Sequence, residues 1–387
     1  MADQNNQQQN NYIQTEDKPE EVLEERTHVE TYWGRIWRRF TKNRLSRAGL
    51  LIVGFMVLLS LFAPFFSPFD HTNTELRRAY HPPYEINFID EEGNFHLRPF
   101  TYSMEQTLDP ETWARIYEPD TSEKHYIHFF VRDWEYEVLG LFELDWHLFG
   151  VPEAGNYHMF GTDSLGRDML SRIIYGSRVS IIVGIFGALV TIIVGTTVGT
   201  ISGFFGGAVD MLLQRLTELI QMFPQLPLWM ALSAAIPADW PAMWVFMGIV
   251  MLFALITWTF LGREVRGKVL SYRDSEFVRA AEIMGAGPAY LIVRHIVPNV
   301  LTHIIVVGTV TVPQLIIAES ALSFLGLGIQ PPMISWGVLL DDASTLEAIS
   351  QYPWLMIPGV FILVTVLGFN FLGDGLRDAV DPYSDEG

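Results

Sequence analysis

The chain has 387 residues, 49% of them hydrophobic, with no cysteine and with 25 Lys+Arg against 44 Asp+Glu, a formal charge of −19. Missing thiols exclude disulfide staples, thiolate zinc sites, iron–sulfur clusters and cysteine nucleophiles, and so acidic a balance excludes a nucleic-acid partner, because too few cations are present to neutralise phosphates. A mean hydropathy of +0.22 describes a chain whose solvent is largely lipid, instead of the two or three soluble domains its length would otherwise imply.

Residues 1–30 are Gln/Asn-rich and then Glu-rich, with little to bury, and are expected to be disordered. In 31–47, Trp33, Ile36, Trp37 and Phe40 fall at helical spacing among basic residues. That pattern predicts an interfacial helix lying on a leaflet. Six uncharged or nearly uncharged apolar runs follow, each about the length of helix a bilayer core requires. They are Ala48–Phe69, Val179–Val209, Leu219–Ala238, Trp240–Gly262, Ile296–Ala318 and Tyr352–Gly373. The expected fold is therefore an all-α integral-membrane bundle of six helices. Lys and Arg crowd before the first run and between the fourth and fifth, while 237–241 and 323–351 contain neither. By the positive-inside rule both termini are expected in the cytoplasm.

Residues 70–160 are too long for a simple connection and hold 18 Asp/Glu against 6 Lys/Arg. Asn87–Leu97 reads as strand, turn, strand, so a small, partly β extracytoplasmic insert is expected. Two readings of it stand: a receiving surface for a delivery protein, or an acidic solubilising decoration. In 161–177, Leu165, Met169, Leu170, Ile173 and Ile174 share a helical face. They predict an outer interfacial helix, with Asp163 capping its start. Gly195, Gly199, Gly203 and Gly207 recur every four residues and predict close helix packing.

Gly262–Val269 matches the phosphate-loop spacing but ends in Val269 where magnesium needs a Ser or Thr hydroxyl, and a membrane run precedes it instead of a strand. The match is a coincidence of spacing. No HExxH, no GxSxG and no zinc-ligand cluster occurs. The chain is read as a non-enzyme without its own ATPase site, cofactor or metal.

Ser275–Asn299, between the fourth and fifth runs, reads as a short helix, a break at Gly285 and Gly287, and a second helical turn opened by Pro288. This segment resembles the EAA loop of ABC importer permeases. Arg279, Ala280 and Ala281 stand at the Glu-Ala-Ala positions, Gly285 fits the pattern's glycine, and Val297-Pro298 replaces Leu-Pro. Because Arg279 replaces the pattern's Glu, no carboxylate role is assigned there. Gly161–Asp168 with Arg172 and Arg178, Leu322–Pro332 with Ser335-Trp336-Gly337, and Phe369–Asp378 with Asp381-Pro382 resemble, in the same order, signatures of the C-type subunit of the dipeptide/oligopeptide/nickel permeases.

The resemblance implies a type I permease core over 178–376 and an ATPase-coupling elbow within 275–299, carried by Glu276, Arg279, Ala280, Ala281, Gly285 and Pro298. It also implies a sister B-type permease subunit, two ABC ATPase subunits that hydrolyse ATP with Mg, an extracytoplasmic solute-binding protein, and surrounding membrane lipid. Residues 377–387 form the expected cytoplasmic tail. Arg167 and Asp168 are candidates for an outer gate. Glu319 is read either as a pathway residue or as a partner of a cation on the sister subunit, since an acid inside a span is costly unless paired or wetted. A stand-alone secondary transporter or channel, the rival reading, predicts paired mid-membrane charges and internal repeats, and neither is found.

Overall fold

A computed structural model describes residues 31–108, 110, 115–138, 142–151, 157–237 and 239–380. The disordered tail expected over 1–30 and the last seven residues of the expected C-terminal tail lie outside them.

Helix α1 (Tyr32–Lys42) stops at Asn43, whose side chain accepts from Leu45 N at 2.9 Å and starts α2 (Arg44–Leu61). The apolar face read from α1 divides. Ile36 and Phe40 are buried against Leu372, Leu376, Ala379 and Val380 of the last helix, while Trp33 and Trp37 stay exposed. A short helix, α3 (Ala63–Phe66), closes the first span.

Among its described residues the insert carries two antiparallel sheets. One is formed by β1 (Asn87–Ile89), β2 (Phe95–Leu108) and β3 (Arg115–Tyr126) in that order, the other by β4 (His128–Val138) and β5 (Phe142–Gly150). The expected hairpin over 87–97 is β1, a turn with Gly93 at φ +85°, and the start of β2. Inside this turn Asp90 accepts from Lys124 Nζ at 2.7 Å, Asn94 N at 2.8 Å and His96 Nε2 at 2.9 Å. These hydrogen bonds, that of His96 foremost, hold its carboxyl far below the usual carboxylate range.

The bundle follows: α4 (Met169–Phe205), α5 (Gly207–Gln221), α6 (Gln225–Ser233), α7 (Ala242–Arg273), α8 (Glu276–Ile283), α9 (Pro288–Phe324), α10 (Trp336–Asp341), α11 (Leu346–Gln351) and α12 (Pro353–Val380). Among the described residues, five helices are long and apolar enough to cross a membrane: α2, α4, α7, α9 and α12. The third expected span, Leu219–Ala238, comes as two shorter helices. Pro224, lacking an N–H and pushing Phe223 out of the helical region, ends α5 at Gln221 and lets α6 begin at Gln225.

The helix expected over 161–177 also differs. Residues 161–168 form a tight turn closed by a Thr162–Asp168 bridge, and the apolar residues from Met169 onward open α4, which runs unbroken to Phe205. Asp168, not Asp163, caps that helix, accepting from Ser171 N at 2.7 Å. Met169 and Ile173 are fully buried in the bundle core, so their apolar face meets protein and not the interface.

Helices α4 and α7 form the backbone of the bundle. A β-carbon on Gly195 would lie 3.0 Å from Trp258 O, one on Gly203 would lie 2.9 Å from Arg266 O, and one on Gly199 would collide with Gly262 O. Three glycines on one helix thus meet carbonyls at the same four-residue spacing on the other, the packing that lipid solvent favours. Gly207, the fourth of the series, opens α5 and touches nothing there.

Candidate coupling elbow and transport cavity

Helix α8 is amphipathic over barely two turns. Val278 and Ala281 are buried with Leu261, Val265 and Val269 of α7 and with Leu291, Ile296 and Val300 of α9. The helix ends in a Schellman motif: Gly285 N donates to Glu282 O at 2.9 Å and Ala286 N to Ala281 O at 3.0 Å, with Gly285 at φ +89°. That conformation is why glycine stands there, because open space surrounds its α-carbon. Past Pro288 the chain passes through a π-helical stretch, Leu291–Ile296, before regular helix resumes with Pro298 in its first turn. Such wide turns recur at functional sites.

The elbow's outer surface carries an apolar patch. Ile283 and Met284 are 87% and 82% exposed, and Phe277, Tyr290 and Val293 are exposed beside them. Of the residues singled out by sequence, Glu276, Arg279, Ala280, Gly285 and Pro298 are exposed and Ala281 is buried. Arg279 meets Asp274 at 3.7 Å, a surface pair of little energetic weight.

Behind the elbow, α6, α7, α9 and α12 line a half-open cavity of 1190 Å³. That exceeds the range of about 300–1,000 Å³ usual for small-molecule sites. Its lining is polar toward the elbow, with Glu264, Lys268, His303, Asn299, Asp374 and Arg377, and mostly apolar further along, around Trp229, Leu315 and Gln314. His303 Nε2 meets Glu264 Oε2 at 3.1 Å at this mouth. Lys268 of the false phosphate loop is a lining residue, and its Gly262 is a helix-crossing point.

Arg167, Asp168 and Glu319 do not line this cavity. At the end of α4 opposite the elbow, Asp163 is fully buried and accepts from Leu165 N at 2.8 Å, Arg167 N at 2.9 Å, Arg167 Nε at 2.7 Å and Arg172 Nη1. Asp168 pairs with His158 Nδ1 at 2.9 Å. Thr162 O accepts from Trp354 Nε1 at 2.9 Å, so the turn bridges the insert, α4 and the start of α12. Asp342 stands close by, its carboxyl raised by burial against the pull of Arg172 and Arg167.

Glu319 sits among serines near the end of α9 away from the elbow. It lies fully buried and takes hydroxyl hydrogen bonds from Ser335 at 2.6 Å, Ser323 at 2.7 Å, Ser320 at 3.4 Å and Ser180 at 3.5 Å. Three of those serines accept in turn from Val338 N, Ile329 N and Trp336 N. The carboxylate thus fixes the loop after α9 onto α4 and the start of α10. Within this chain its wetting comes from serine hydroxyls.

One clamp escaped the sequence altogether. Arg266 donates Nε and Nη2 to the two oxygens of Asp210 at 2.6 Å each, and Ser202 adds a third bond at 2.5 Å. The guanidinium pulls the Asp210 carboxyl down to about 2. The pair ties the α4–α5 corner to α7 beside the glycine crossing.

Comparison with known proteins places these features. Residues 195–384 match the model of the binding-protein-dependent transport system inner membrane component, and residues 31–83 match the N-terminal TM domain of oligopeptide transport permease C. The oligopeptide transport system permease protein OppC of Haemophilus influenzae is 43% identical over 242 residues, covering 62% of this chain and 75% of that protein. OppC of Bacillus subtilis is 31% identical over 351 residues, 90% of this chain and 89% of its own length. The dipeptide transport system permease protein DppC of Lactococcus lactis is 32% identical over 352 residues, 90% of each chain. With an apolar helical bundle, a partly β insert and an elbow between its long helices, the chain belongs to the family of inner-membrane permease components of binding-protein-dependent transport systems.

Proposed function

We propose that this chain is one of two permease subunits in an ABC importer for di- or oligopeptides or related solutes, and that it turns closure of the ATPase subunits into alternating access. The observation that carries the reading is the elbow. A rigid, glycine-capped bend presents Ile283 and Met284 to a partner, while its inner face is cemented to α7 and α9, the helices that wall the cavity. A force on the elbow is therefore a force on the cavity. ATP and magnesium belong to the partner subunits, a sister permease completes the pathway, and an extracytoplasmic binding protein delivers cargo.

In this arrangement both termini and the elbow lie in the cytoplasm and the insert lies outside. Glu276, Arg279, Ala280 and Gly285 line the contact with the ATPase groove, Ala281 anchors the elbow helix, and Pro298 sets the entry of α9. Closure of the ATPase pair drags the elbow, and the bundle rocks between inward and outward openings, a rigid-body switch. Relatives named for oligopeptide and dipeptide transport support a peptide cargo. Arg167 and Asp168 form an outer gate against the binding protein, on the turn that the buried Asp163 holds in shape.

The test is transport in proteoliposomes holding the whole complex. Replacing Gly285 with Lys is expected to abolish uptake while leaving the permease inserted and paired. Uptake at the wild-type rate in that variant, or uptake by this chain without ATPase subunits, would refute the assignment.

A further inference from the structure

We infer that the β4–β5 ribbon is a membrane anchor, lying with one face in the headgroup region of the leaflet at the insert's end of the bundle. Phe142, Leu144 and Trp146 occupy alternate positions of β5 and so share one face, and they are 67%, 43% and 39% exposed. Glu143 and Asp145 alternate onto the other face. Arg132 stacks on the Trp146 ring at 4.8 Å, an aromatic–cation pair suited to headgroup depth.

What covers this face follows from what it continues. On α2, Ser46, Gly49, Val53, Met56 and Ser60 are buried in the bundle, and Leu51, Phe55, Leu58 and Phe62 form the opposite, exposed stripe. That stripe is lipid-facing for a span. It runs on into Phe65, whose ring lies 6.4 Å from that of Phe130 in β4. Phe130 is held at φ +55°, a backbone state costly for a bulky side chain, and its ring is 60% exposed.

The base of the ribbon is seated on the end of the same span. His147 Nδ1 meets Pro64 O at 3.0 Å, and Phe149 and Phe66 pack on Leu59 and Ala63. The exposed apolar stripe of α2 thus leads through Phe65 to Phe130 of the ribbon. A soluble protein docking on this acidic insert would be drawn by its carboxylates, which this apolar face does not present.

The chain has no cysteine, so single-cysteine spin labels can be read without background. Phe142→Cys, Leu144→Cys and Glu143→Cys are placed one at a time in the full transporter, reconstituted in phosphatidylcholine nanodiscs. Collision rates with oxygen and with a water-soluble nickel chelate are then measured. The anchor predicts that labels at 142 and 144 favour oxygen at least several-fold relative to the label at 143. It also predicts that adding the binding protein changes neither. Labels at 142 and 144 as open to nickel as the label at 143 would overturn it. So would shielding from both reagents, which assigns the face to a protein. Leu144→Cys alone decides the matter should Phe142→Cys fail to assemble.

Discussion

Glu319 and Asp163 are both fully buried acids, yet their surroundings make opposite demands on a substitution. The Glu319 carboxylate is fed by four hydroxyls. Glu319→Gln keeps the shape but turns one acceptor into a donor facing serine hydroxyls, an expected loss of about 1–3 kcal/mol. Ser335→Ala removes one of those bonds and the cap of α10 together, with a loss of about 1–2 kcal/mol. Thermal unfolding of the purified permease reads both, and unchanged melting in Glu319→Gln would deny the cradle its role. Around Asp163 the partners are cations. Arg172→Met removes the more buried of the two guanidinium partners of Asp163 and is expected to cost about 3 kcal/mol, whereas Arg167→Met, at a more exposed side chain, costs far less stability but slows transport. Transport at the wild-type rate in a stable Arg167→Met variant would deny it a gating role. His81 supplies the acid limit of this corner. Burial lowers its pKa to about 4 from an ordinary 6.5. The folded state therefore binds fewer protons than the unfolded one between those values, and stability falls as pH drops from about 6.5 toward 4. His81→Gln should flatten that slope in a pH series of melting temperatures.

Helix pairs carry the next level of the design, and there the glycines sort by what they touch. Gly199 sits where α4 and α7 cross, and Gly199→Leu is expected to push the two helices apart and abolish assembly of a monodisperse permease. Gly267, on α7 only five residues past Gly262, faces open space in a regular helix. Gly267→Ala is expected to be neutral or stabilising by up to about 1 kcal/mol and to leave transport unchanged. Damage from Gly267→Ala equal to that from Gly199→Leu would mean that the crossing has been misplaced. Much of this level was legible beforehand. The four-residue glycine period named the packing face of α4, and the glycine break at 285 named the elbow, because both are local geometric requirements. The break at Pro224 was legible as a proline but hidden inside an apolar run, where composition outweighs a single missing N–H. The start of α4 was misread because Leu165 and Met169 share a helical face on paper. A turn forms there instead, held through Thr162 by His81 and Trp354, residues that no window of sequence around it contains. The serine cradle is half-visible, since Ser320 and Ser323 follow Glu319 on one helix, but Ser180 and Ser335 arrive from elements far away in the chain. The Asp210–Arg266 clamp left no local signal at all.

In the whole molecule the proposed coupling is mechanical. The elbow is stiff because a Schellman cap and a shared apolar cluster hold it. The bundle behind it is stiff because α4 and α7 touch backbone to backbone and are clamped by Arg266. Between them lies the cavity, whose polar mouth is next to the elbow, so a small displacement there is transmitted to the walls instead of being absorbed. The central claim is that a nucleotide-driven partner grips Met284 and its neighbours. It is tested most directly by placing a single cysteine at Met284 in the otherwise cysteine-free chain and at the facing groove of an ATPase subunit, then crosslinking the intact complex with and without ATP. The account predicts efficient crosslinking in both states, since the grip must persist while the groove moves. Absence of any crosslink to an ATPase subunit, in a complex that still transports, would contradict it.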